Sequence, residues 1–196
     1  MEKNRLASSI PACNMIIALL IFAQIPIMFG IAAPNAVIFA LPWILAAFPI
    51  ILICVVIMYK NGEFVDATLN AILSGVLMGQ NFVRGMIALQ FVTSGREVSQ
   101  ELILSSYAID KWVYLAGGVI LLFAGWLASF QCKMAAIGVW AGAVGFLALA
   151  AMYHGIGNIF GMIGAIGLVI LGIYLLYSGI AILVNTAMQK EVMILK

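Results

Sequence analysis

Six apolar stretches, each long enough to cross a bilayer, run almost end to end through the chain, and its few charges fall nearly all in the gaps between them. That alternation leaves little choice of fold. With 66% hydrophobic and 8% charged residues, a water-soluble domain has too few polar groups to cover itself, whereas lipid solvates apolar side chains on every outer surface. A hydrocarbon core of about 30 Å takes roughly 20 helical residues to cross. Spans are therefore expected at Ile10–Ala33, Val37–Tyr59, Phe64–Leu89, Trp112–Phe130, Met134–Tyr153 and Ile159–Asn185. A β-barrel would need period-two alternation, and the runs Val119–Leu122 and Ile166–Ile173 are apolar on successive residues. The expected fold is all-α, with six transmembrane helices in one bundle and a single domain over residues 1–196.

An even number of spans puts both termini on one side, which collects Lys3, Arg5, Lys60, Lys133, Lys190 and Lys196. The other side holds Arg96 and Lys111, with Arg84 near a helix end. This bias predicts a protein of the cytoplasmic (plasma) membrane with both termini in the cytoplasm. The first span has the outline of a secretory signal, but its apolar run is longer than roughly 7–15 residues and contains Pro11, Gln24 and Pro26, so it is expected to remain a span. Four of the connections are only a few residues long, which makes each helix antiparallel to the next. The exception is Gln90–Lys111, where Ser94 and Glu97 have the spacing of a capping box and predict a short surface helix, either a lid or a simple bridge. Gly138, Gly142 and Gly145, with Gly161, Gly164 and Gly167, predict close approach of the last two helices.

Cys13, Cys54 and Cys132 have no metal-ligand spacing and read as small packing residues. There is no Ser/His/Asp or Cys/His set, no phosphate-cradling GxxxxGK, and a single histidine. These absences argue against hydrolysis, ATP-driven pumping, a metal centre or a bound cofactor. The net charge of +2 is what positive-inside loops leave behind and does not indicate nucleic acid. Polar residues inside spans therefore carry the functional reading. On the third helix Asp66, Asn70, Ser74, Asn81 and Arg84 share one face; Asn70 and Ser74 are deep, and Arg84 is near the outer interface. They predict either an aqueous pathway or interhelical hydrogen bonds. Asn14 and Gln24 interrupt the first helix, Asn158 opens the sixth, and Tyr174, Tyr177 and Ser178 follow along it. His154, near the outer face, is a candidate for pH gating.

In their order along the chain, Tyr59-Lys60-Asn61-Gly62, Ile156-Gly157-Asn158, Ile166-Gly167-Leu168, Ile173-Tyr174-Leu175 and Leu183-x-Asn185 resemble the acetate-succinate permeases, also called the acetate uptake transporter family. Of that family's N-terminal Asn-Pro-Ala-Pro-Leu-Gly-Leu, the stretch Ile10–Ile16 keeps Pro11 and Ala12. The resemblance implies a pathway through each protomer of a homo-hexamer, narrowed by a phenylalanine, a tyrosine and a leucine. Leu19 stands at the first of these positions, Ile72, Leu73 or Ser74 at the second, and Leu147 at the third. Separately, Leu175-Leu176-Tyr177-x-Gly179-Ile180-x-x-Leu183-x-Asn185 and Pro11-x-x-Asn14 resemble the first two helices of the amide-urea channel family in permuted order.

The resulting expectation is a channel or channel-like permease for a short monocarboxylate such as acetate, or succinate, with proton coupling. Asn14, Asn70, Ser74, Asn158 and Tyr177 would supply hydrogen bonds, Leu19 and Leu147 a dry constriction, and Arg84 attraction at the mouth. The alternatives are a urea or short-amide channel, and a non-transporting membrane scaffold whose polar residues serve only helix packing.

Overall fold

The computed structural model describes residues 7–95 and 100–195, and gives the backbone alone at 34, 35 and 100–104. Six helices account for most of it: α1 (Ile10–Met28), α2 (Leu41–Asn61), α3 (Phe64–Ser94), α4 (Gln100–Ser129), α5 (Lys133–Tyr153) and α6 (Ile159–Met188). Among the described residues there is no strand. All six helices are long and apolar enough to cross a membrane. Their outer surfaces expose Trp43, Phe48, Leu52, Phe123, Ile137 and Ile173, an apolar belt that requires lipid around it.

Proline and glycine set the boundaries. Pro26 lacks an N–H and breaks the ladder near the end of α1; the N–H groups of Ile31 and Ala32 turn back to its carbonyl at 2.8 and 2.9 Å. The first span therefore stops at Met28, short of the expected Ala33. The second opens as a 3-10 segment, Pro34–Ala40, before α2 begins with Pro42 in its first turn. Gly62 ends α2 at φ +83°, with the Glu63 N–H reaching the Met58 carbonyl at 2.9 Å.

The expected long outer segment is mostly helix. α3 has 31 residues and α4 has 30, each about 46 Å long, so both overshoot the hydrocarbon. The Gln90–Lys111 bridge is thus the upper ends of α3 and α4. Ser94 Oγ donates to the Phe91 carbonyl at 3.2 Å, and Glu97 lies outside the described residues. The described residues on either side, to Ser94 and from Gln100, belong to α3 and α4 themselves.

Each helix packs on its sequence neighbour, and α1 closes the ring against α6 while also touching α3. The beginning of α1 and the end of α6 therefore share one face of the bundle, the terminus face; its opposite is the far face. Small residues make the tightest seams. A methyl added at Gly167 would lie 2.6 Å from the Ala141 carbonyl oxygen and 2.7 Å from Gly145 Cα, so α5 and α6 meet backbone to backbone. On the other side of α5, Gly117 accommodates Phe146 and Gly125 accommodates Trp140. Ile17, Ile21, Leu73, Leu121, Phe146 and Leu171 fill the centre, each no more than 2% exposed.

Candidate functional site

A cavity of about 690 Å³ lies in the far half of the bundle. It exists because α1 stops at Met28 and the thinner 3-10 segment takes its place, leaving room beside α3, α4 and the α5–α6 turn. Ile21, Leu77 and Leu168 are its deepest lining residues. One turn further toward the terminus face, Ile17, Leu73 and Leu171 are fully packed, so the cavity is blind.

Among the described residues Arg84 is the only charged side chain lining it. Position i+4 relative to Gln80 puts the two on one side of α3, and Tyr107, Asp110 and Tyr114 share a face of α4 by spacings of three and four. Arg84 Nη2 forms an ion pair with Asp110 Oδ2, which also accepts from Gln80 Nε2 at 2.8 Å. Gln80 Oε1 in turn accepts from the Tyr114 hydroxyl. Arg84 Nη1 donates to Tyr153 Oη at 3.3 Å, and its guanidinium carbon lies 5.2 Å from the Tyr107 ring centre and 5.6 Å from that of Tyr153. Both distances are within cation–π range. Behind them Tyr114 stacks on Tyr153 at 5.6 Å and meets the edge of Phe146 at 5.3 Å. The Arg84 side chain is 26% exposed and that of Asp110 12%; Asp110 does not line the cavity. The carboxylate thus holds the guanidinium from outside the cavity that Arg84 lines. Gln24, Asn81 and Ser106 add polar groups to the walls.

Of the polar residues singled out in the sequence, Gln24, Asn81 and Arg84 line this cavity; the other expected site residues do not. Asn14 Nδ2 donates to Ser178 Oγ at 3.0 Å, tying α1 to α6. Asn70 Nδ2 lies 3.9 Å from Met58 Sδ, tying α3 to α2. Ser74 Oγ donates to the Ala71 carbonyl at 3.0 Å and borders an apolar groove on the outer side of α2 and α3. Asn14 and Asn70 thus tie helices together, Ser74 bonds within its own helix, and none of the three lines the cavity. Two expectations require correction. Leu19 is 62% exposed on the outer surface and forms no constriction, because its position on α1 turns it toward lipid. Leu147 packs over Gly118 of α4, where an added methyl would touch it at 2.7 Å; it fills a helix seam and does not line the cavity.

Tyr177 and Asn158 also sit elsewhere. The Tyr177 hydroxyl donates to the Ile194 carbonyl at 2.9 Å, and Asn185 Oδ1 accepts from the Val192 and Met193 N–H groups, both at 2.8 Å. Tyr177 therefore pins the folded-back C-terminal segment on the terminus face. Asn158 is exposed before α6 and makes no side-chain cap. His154 lies outside the cavity, with Nδ1 at 2.8 Å from the Ala150 carbonyl oxygen and its ring against the Trp112 edge. Gln80, Asp110, Tyr107, Tyr114 and Tyr153 were not anticipated. Starting the fourth span at Trp112 leaves Asp110 in a loop; extending the helix backward would have set it level with Arg84.

The chain is thus an integral membrane protein of six apolar helices, an architecture consistent with a transporter or channel. No protein-family model, no curated protein and no solved structure matches it.

Proposed function

We propose that the chain is a permease for a monocarboxylate, the class that includes acetate, bound in the far cavity with its carboxylate at Arg84. The observation that carries this reading is a guanidinium, the one charged group among the described lining residues, in an otherwise mainly apolar cavity. Its planar fork of donors matches a carboxylate better than a point charge would. Apolar walls exclude competing water and strengthen that contact. Because the floor is closed, passage requires a second conformation open to the terminus face, which is permease behaviour and not that of an open pore. The resemblance to acetate-succinate permeases supports the same class.

A urea or amide channel is the second reading, favoured by one observation: Asp110 balances the Arg84 charge, and a neutral solute needs no net positive field. Proteoliposome uptake separates the two. Acetate accumulation driven by an inward proton gradient, reduced at least tenfold by Arg84→Gln, supports the carboxylate reading; uptake of urea or acetamide without acetate overturns it.

A further inference from the structure

Acetate would leave most of this cavity unfilled. Volumes of about 300–1,000 Å³ ordinarily enclose ligands of drug size, and 690 Å³ is well within that range. Its groups are also unevenly placed. Most of the hydrogen-bonding capacity gathers around Arg84 of α3, Tyr107 of α4 and Tyr153 at the end of α5, whereas Ile21, Leu77 and Leu168 make an aliphatic floor. The aliphatic floor offers water no hydrogen bonds and so favours apolar matter against it.

We infer that the site selects an amphipathic monocarboxylate, a medium-chain aliphatic acid whose head meets Arg84 and whose tail rests on Ile21, Leu77 and Leu168. This rests on the carboxylate reading and adds a measure of tail length to it. The floor acts as the ruler: each methylene that remains above it gains burial, and the first that reaches it clashes. Leu77 and Leu168 touch the tail and not the head, so they set chain-length preference without setting acid recognition.

The test is direct calorimetric titration of purified, detergent-solubilised protein with acetate, butanoate, hexanoate, octanoate and decanoate, and with the matching alkanamides, at neutral pH. Affinity is expected to rise about fourfold per methylene up to one length and then fall. Leu77→Ala and Leu168→Ala, made separately so that one folding failure does not decide the matter, should each move the optimum to a longer acid. Butanoate should stay within about twofold of the parent. A flat series, an optimum at acetate, or variants that shift short and long acids equally overturn the inference and leave the carboxylate permease standing. Alkanamides that show the chain-length optimum while no acid binds would keep the ruler and overturn the acid head. Failure of acids and amides alike to bind overturns both.

Discussion

Substituting Gly167 with alanine tests whether direct backbone contact holds α5 to α6. The new methyl would lie 2.6 Å from the Ala141 carbonyl oxygen and 2.8 Å from Gly145 N, where ordinary contact begins at 3.4 Å. The obstacles are backbone atoms, so no rotamer change relieves the overlap and one helix must move by about 0.8 Å. Opening a packed seam by that much forfeits a quarter to a half of each dispersion contact along it. Overpacking costs about 1–3 kcal/mol in ordinary cores, and the rigid neighbours place Gly167→Ala near about 3 kcal/mol. Gly79→Ala is the control. It adds the same methyl to α3 with nothing within 4 Å, so it keeps the roughly 0.5–1 kcal/mol helix-forming advantage of alanine. Unfolding both variants in mixed micelles by titrating dodecyl sulfate, followed by tryptophan fluorescence and circular dichroism, gives the difference directly. Equal midpoints for the two variants would refute the close-contact account of this interface.

The Asn14–Ser178 bond should show as a small coupling: a double-mutant cycle of Asn14→Ala and Ser178→Ala is expected to give about 0.6 kcal/mol, with solute uptake per folded molecule unchanged. Leu19→Ala should alter neither uptake nor, beyond about 0.5 kcal/mol, stability, since the side chain faces lipid; reduced uptake would restore it to the pathway. Asn185→Ala should free the C-terminal segment, seen as faster hydrogen exchange at Val192 and Met193 with a stability loss of about 1 kcal/mol. Asp110→Ala leaves Arg84 without its counter-charge. The destabilisation should fall to about 2 kcal/mol, below the 3–5 of a fully buried broken pair, because the guanidinium is partly open to the cavity; an unchanged midpoint would remove Asp110 from its holding role.

Apolar length alone made six helices legible, because lipid imposes the same requirement on every span. Helix ends were less so. Pro26 stopped α1 early and the 3-10 segment consumed the start of the second span, effects that hydropathy averages away. The glycine seams were readable from spacing, since only small residues admit backbone contact. The site was half readable: Arg84 stood out as a charge within an apolar run, but its partner Asp110 was hidden by a misplaced helix start. Asn14, Asn70 and Ser74 pointed to buried polarity without saying whether water or another helix satisfies it. Leu19 and Leu147 could not be oriented at all, because a six-membered ring gives each helix two neighbours and the sequence does not name the face turned to lipid.

Glycine binds α4 to α5 and α5 to α6 through close van der Waals fit, whereas α3 meets α4 far more sparingly and is held there chiefly by Gln80 and Arg84 on Asp110. One boundary of the ring is therefore fastened by an ion pair and an amide, and the guanidinium of that pair is also the charged group that lines the cavity. The side chain that would receive an acid and the one that keeps α3 on α4 are thus the same arginine.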